Sequence, residues 1–187
     1  MTDGSGRTLV AGVGNIFFGD DGFGVEVARR MAERELPDGV TVADYGISGM
    51  HLAYDLSNGY ERAILIDATP RGGTPGTVYV LEPEEPAAAS PDEASTALFD
   101  AHGMQPDVVL GMIGMLGGKT GRMLIVGCEP ENAGPGIGLS APVAAAVDDA
   151  VRTVLELIED ADLASQLTKG QPEPTQTEPT QTEPTQS

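Results

Sequence analysis

The stretch that decides the fold is Gly12-Val-Gly-Asn-Ile-Phe-Phe-Gly-Asp-Asp-Gly-Phe-Gly24. An apolar run precedes it and an amphipathic run follows it from Phe23, which predicts a strand, a glycine-rich turn and a helix start. Turns of this kind usually hold a phosphate, because backbone N–H groups close on an anion at the helix N-terminus. Here Asp20 and Asp21 stand where the phosphate would sit and would repel it. We therefore interpret the loop as a cation-facing turn on a nucleotide-type scaffold.

The known nucleotide-binding motifs do not match this stretch. A dinucleotide-binding pattern would need glycine at the position of Phe17, and a P-loop would need Lys and then Ser or Thr after Gly19. The common protease signals are missing too, since the chain has no Gly-x-Ser-x-Gly elbow and no His-Glu-x-x-His. A nucleotide-binding α/β domain stays an alternative, and a nucleotide-binding titration would decide whether it holds.

Composition excludes several classes of partner. The 187 residues carry a net charge of -19, so nucleic acid and anionic membranes are poor partners. The single cysteine, Cys128, excludes an internal disulfide and a cysteine-based zinc site, and we expect it to be a small core residue. The N-terminus has no basic region followed by a long apolar run, so we expect neither a signal peptide nor a membrane span and place the protein in the cytoplasm.

Strand and helix patterns alternate along the chain. Buried strands are predicted at 7–12, 40–45, 63–67 and 123–127, and an edge strand at 77–81. Helices are predicted from Phe23, at 50–56, at 104–116, and after Ser140 as N-cap. This alternation predicts an α/β fold with a single doubly wound, mainly parallel five-stranded sheet and helices on both faces.

The pattern divides the chain into two regions. Residues 1–167 form the α/β domain, whereas 168–187 contain a Glu-Pro-Thr-Gln motif that repeats every five residues. This repeat has no apolar side chain able to join a core, so we predict a disordered tail.

Acidic residues follow three of the predicted strands, at the edge where doubly wound sheets bind ligands. They are Asp20 and Asp21, Asp44, and Asp67, and His102 lies in a loop on the same side. Carboxylates and one imidazole with open positions suit a borderline divalent ion such as nickel or zinc.

Each of these residues also has a structural interpretation. Asp20 could cap the following helix, Asp21 could be a first-turn acid favoured by the helix dipole, and Asp67 could hydrogen-bond to a neighbouring turn. His102 alone is more often a surface loop residue than a ligand. We expect His51, beside Leu52 in a short helix, to be partly buried.

The opening stretch, extended to Val25, resembles the first signature of the hydrogenase maturation endopeptidases, which trim the C-terminal extension of [NiFe] hydrogenase large subunits. The other matching segments are Asp44-Tyr-Gly-Ile-Ser-Gly-Met50, Ile64-Leu-Ile-Asp-Ala68, His102, Leu124-Ile-Val-Gly-Cys-Glu-Pro130 and Gly138-Leu-Ser140. The likeness covers about residues 7–160 and leaves out the tail.

The resemblance implies an aspartyl-type endopeptidase in which Asp21, Asp67 and His102 contact nickel and carry the catalysis. The nickel would be carried by the substrate, the large-subunit precursor, and would report that loading is complete. We expect a monomer, with neither nucleic acid nor membrane as a partner. The competing hypothesis on the same fold is a non-enzymatic nickel-binding accessory protein or chaperone of hydrogenase assembly.

Overall fold

The computed structural model describes residues 6–83, 109, 111–113 and 121–169. Five strands form one sheet in the order β2-β1-β3-β5-β4. They are β1 (Thr8–Val13), β2 (Val40–Gly46), β3 (Arg62–Ala68), β4 (Val78–Leu81) and β5 (Arg122–Cys128). All neighbouring pairs are parallel except β4 with β5, which is antiparallel. The mainly parallel α/β sheet, with β4 at its edge, confirms the fold predicted from the sequence.

Within the described residues, three helices connect or follow the strands. They are α1 (Phe23–Ala32), α2 (Gly49–Ser57) and α3 (Ala141–Lys169), and a 3₁₀ turn at Gly19–Gly22 leads directly into α1. Residues 109 and 111–113 are also helical and lie within the helix predicted at 104–116, whose other residues fall outside the described part of the chain.

The helices cover both faces of the sheet, as the two apolar cores show. On one face α1 and α3 pack with Val10, Ile64 and Val126. On the other face α2, together with Val109, Met112 and Ile113, packs with Leu9 and Leu65. Neighbouring residues of one strand thus enter opposite cores, because side chains alternate across a sheet. Strands buried on both faces must be apolar throughout, which is why the sequence signal was a continuous apolar run.

Helix α1 lies unusually close to the strand ends, and a glycine permits this. A Cβ atom on Gly24 would collide with the backbone carbonyl oxygens of Ile66 and Val13. The first turn of α1 therefore rests directly on β1 and β3. This contact fixes the loop before the helix, which carries Asp20 and Asp21, above the ends of both strands.

The C-terminal helix runs to Lys169, two residues into the segment predicted to be a tail. Residues 170–187 lie outside the described part of the chain, so the disorder of the repeat stays a prediction. Within the described residues, no helix is long and apolar enough to cross a membrane.

Candidate active site

The carboxyl ends of the parallel strands meet at one edge of the sheet. Gly12 of β1 pairs with Asp44 of β2 on one side and with Ile66 of β3 on the other. Asp44 and Asp67 therefore end the two strands that flank β1, while the loop after β1 rises between them. This is the edge at which the sequence predicted a ligand.

A tight turn delivers Asp21 to this edge. Its carboxylate oxygen Oδ2 accepts a hydrogen bond from the N–H of Asn15 at 2.7 Å, across the base of the loop. Gly14 has a φ of +126°, and a Cβ there would collide with the carbonyl oxygen of Asp21. Only glycine fits at this position, because L side chains rarely adopt this backbone conformation. The loop thus holds Asp21 half-buried and in one orientation.

Asp67 shares the edge with Asp21. Burial of the carboxyl group and the negative charge of Asp21 raise the pKa of Asp67 to about 8, against the hydrogen bond that the Ala68 N–H donates to Oδ1 at 2.8 Å. Two carboxylates in a poorly hydrated place disfavour each other's ionised form. A cation placed between them would remove that cost. The structure therefore brings together Asp21 and Asp67, two of the three residues predicted to contact metal.

The third predicted residue, His102, lies outside the described residues, so its role stays a prediction. Among the residues that the structure does describe, no three His, Cys, Asp or Glu side chains lie close enough to hold a metal ion. The described site is thus a carboxylate pair. It suits a cation that brings further ligands of its own.

Asp20 has a different task from Asp21. Its side chain is fully buried and accepts four hydrogen bonds: from the N–H groups of Glu131, Asn132 and Ser140 at 2.8, 2.8 and 2.6 Å, and from the Ser140 hydroxyl at 2.9 Å. Burial alone would raise the pKa of Asp20, but these donors outweigh it and lower the pKa. Neither the 3₁₀ turn nor α1 has a side-chain cap, so the interpretation of Asp20 as a helix cap is wrong. The residue instead ties the first loop to the loop before α3.

Ser140 precedes α3 directly, as predicted, and its carbonyl oxygen accepts the Ala144 N–H at 2.8 Å. Its hydroxyl, however, donates to Asp20. The residue therefore connects the start of α3 to the first loop.

The remaining candidates differ in their burial and contacts. Asp44 is exposed, and its Oδ1 accepts the N–H of Gly46 at 2.8 Å. His51 is exposed, with Nδ1 2.9 Å from the Ser48 hydroxyl, so the expected partial burial was wrong. The reason is that α2 turns Leu52 into the core and the adjacent residue outward. Cys128 is fully buried, and burial raises its pKa to about 11, which confirms a core residue.

Glu129 is a structural residue that the sequence analysis missed. Its buried carboxylate accepts the N–H groups of Arg71 and Gly72 at 2.9 and 3.0 Å and the hydroxyl of Tyr79 at 2.9 Å. Burial would raise the pKa of Glu129, but these hydrogen bonds lower it. It thereby fixes the turn that follows β3. A glutamate directly after a buried strand, facing a glycine-rich turn, was the available signal.

Comparisons with known proteins identify the family. The model of the hydrogenase maturation protease family matches residues 25–157. The hydrogenase 2 maturation protease of Escherichia coli K12 is 32% identical over 157 residues, which cover 83% of this chain and 92% of that protein.

Solved structures agree. The hydrogenase 2 maturation peptidase of a Thaumarchaeota archaeon is 34% identical, covers 82% of this chain and 98% of its own, and has a TM-score of 0.62. The hydrogenase maturating endopeptidase HybD of E. coli is 28% identical, with coverages of 83% and 93% and a TM-score of 0.64. The chain therefore belongs to the hydrogenase maturation protease family and is a peptidase.

Proposed function

We propose that this peptidase is a nickel-dependent endopeptidase that removes the C-terminal extension of a [NiFe] hydrogenase large subunit after nickel insertion. The relatives are named as hydrogenase maturation proteases, which supports a hydrogenase precursor as the substrate. In this proposal the nickel ion arrives as part of the precursor. The proposed reaction therefore needs no metal held permanently by the protein.

The observation that carries the proposal is the Asp21–Asp67 pair. A carboxyl group whose pKa is raised to about 8 is largely protonated at neutral pH in the free protein. An arriving divalent cation stabilises the ionised form of both carboxylates and displaces the proton. The pair therefore attracts a cation but has too few ligands to hold one tightly alone. An incomplete site of this kind is suited to detect nickel that the precursor already holds.

The residues have defined tasks in this reaction. Asp21 and Asp67 contact the nickel of the precursor, and the neutral imidazole of His102 completes the set. The remaining coordination positions stay with the precursor's own ligands, so the contact places the scissile bond beside the pair. Water adds to the peptide carbonyl carbon, the C–N bond breaks, and the amine leaves with a proton. Orientation of the peptide against the carboxylates supplies the selectivity for loaded precursor.

The test compares nickel-loaded with nickel-free precursor, each mixed with the purified protein and analysed by mass spectrometry. We expect one specific C-terminal cut in the loaded precursor only. Asp67→Asn should abolish the cut, whereas Asp38→Asn, an exposed carboxyl just before β2 at the opposite end of the sheet, should not. Equal cutting of both precursors would refute nickel dependence, and binding without a cut would indicate an accessory protein instead.

A further inference from the structure

Large apolar side chains are exposed beside the carboxylate pair. Ile16, Phe17 and Phe18 follow β1, and Ile137 lies in the loop before α3; their exposed fractions range from 42% to 83%. Soluble monomers rarely leave such side chains clustered in water without a use. These four residues form the first arc of what we call the apolar rim.

The second arc follows β2. Ile47 directly follows the strand and is 69% exposed, and Met50 and Tyr54 lie on the solvent side of α2. Met50 and Tyr54 are four residues apart in a helix, so they lie on one face. The buried side of α2 is already satisfied by Leu52 and Leu56, which leaves this second apolar stripe without a partner among the described residues.

Backbone hydrogen bonds join both arcs to the site. The Gly14 N–H donates to the Gly46 oxygen at 2.9 Å, which holds the start of the first loop against the end of β2. The Gly136 N–H donates to the Phe17 oxygen at 2.9 Å, which holds Ile137 beside the same loop. Asp21 is anchored to the base of this loop through Asn15. The apolar rim is therefore one fixed surface bordering the carboxylate pair.

The charge of this surface selects its partner. The segments that carry it, residues 14–22, 44–56 and 129–140, contain no Lys or Arg. Asp44 and Glu131 are exposed beside the arcs, and the carboxylate pair lies between them. Complementarity therefore calls for an occupant that is apolar and positively charged. A second copy of this chain does not fit, because a symmetric dimer would face acid against acid.

We propose that the apolar rim is the docking surface for the hydrogenase precursor, and that it receives an apolar precursor surface of net positive charge. This inference rests on the proposed function for the identity of the partner. It adds the surface that holds the precursor, and this surface is distinct from the carboxylates that contact the precursor's nickel. Docking on the rim would bring the precursor's metal centre to Asp21 and Asp67.

The experiment measures the dissociation constant of nickel-free precursor, which should not be cut, so that binding is measured without turnover. The double variant Phe17→Ser/Ile47→Ser should raise the dissociation constant about tenfold, because exposed apolar anchors dominate such contacts. Val80→Ser is the matched control: Val80 is 48% exposed but lies on edge strand β4, away from the rim. Val80→Ser should change the dissociation constant less than about twofold, because residues outside the energetically important contacts contribute little to binding.

Substitutions at Ile137 test the charge preference of the apolar rim. Ile137→Lys should weaken binding more than Ile137→Glu, and the difference should shrink as salt is added, because salt screens exposed charges. Melting temperatures close to that of the wild type would show that each variant is folded. Wild-type affinity in the double variant, or equal effects of Lys and Glu, would overturn the proposal.

Other outcomes separate this inference from the proposed function. If the wild type binds through the rim but does not cut loaded precursor, the proposed function fails and the docking surface stands. If it cuts, yet the rim variants bind normally, only the docking surface fails. No binding of precursor to the wild type would also overturn it. Wild-type dimers that the double variant converts to monomers would assign the rim to self-association and refute precursor docking.

Discussion

Asp67→Asn is expected to stabilise the protein while abolishing processing. The folded state raises the pKa of Asp67 to about 8, from an ordinary value of 3.8, because the carboxyl is buried beside Asp21. Between these values the folded protein holds a proton that the unfolded chain releases. The free energy of unfolding therefore falls as pH rises through this window and levels off above pH 8. Asparagine cannot ionise, so the variant should lack this loss.

The size of the effect follows from the same shift. One pH unit inside the window changes the stability by about 1.4 kcal/mol for one proton. Between pH 5 and pH 7 the stability advantage of Asp67→Asn over the wild type should grow by about 3 kcal/mol at most, and by less if relaxation around the pair hydrates the carboxyl. Because Asp21 and Asp67 interact, the proton belongs to the pair.

The assay is urea unfolding of both proteins at pH 5, 6, 7 and 8, with Asp38→Asn as the control for loss of one exposed charge. The control should follow the wild type at every pH. A stability difference between Asp67→Asn and the wild type that stays constant from pH 5 to pH 7 would refute the account of the buried pair. If the variant is unfolded at every pH, Asp67 is a structural residue and its assignment to the site is wrong.

Further changes test other parts of the structure. Asp20→Ala should lower the free energy of unfolding by about 3–5 kcal/mol, because it removes the acceptor for four donors. Asp20→Asn should make stability less sensitive to acid. The lowered pKa of Asp20 stabilises the fold above about pH 4, and this contribution is lost as pH falls further. Gly24→Ala should lower the free energy of unfolding, measured in urea, by about 1–3 kcal/mol, because the new methyl group meets backbone atoms that cannot rotate away. An unchanged urea midpoint would contradict the close packing of α1. Truncation after Lys169 should leave melting and processing nearly unchanged, and a large loss of either would show that the repeat is needed. Calorimetry should detect weak nickel or zinc binding whose affinity falls as the pH drops below about 8, because Asp67 must lose its proton, and falls more steeply below about pH 6.5, the ordinary histidine pKa. Tight binding that survives His102→Ala would indicate a site made of carboxylates alone.

Much of the fold follows from local sequence. Buried parallel strands need apolar side chains on both faces, so runs such as Ala63–Ile66 identify themselves without knowledge of their neighbours. Parallel strands also end at one edge, so Asp44 and Asp67 could be placed there from the strand pattern alone. The resemblance then singled out Asp21 beside Asp67. These predictions depend on residues that are close in sequence or on general rules of sheet topology.

Only the tertiary structure decided that Asp20 has a structural role whereas Asp21 belongs to the candidate site. The two residues have the same side chain and are adjacent, but a helical turn directs neighbouring side chains to different sides. Asp20 meets N–H groups that lie 111 to 120 residues further along the chain, whereas Asp21 meets Asn15 and the edge of the sheet. Glu129 was missed for the same reason, since its partners at Arg71 and Gly72 are 58 and 57 residues away. A carboxylate's role depends on the donors and charges around it, and those are assembled only when distant segments pack together.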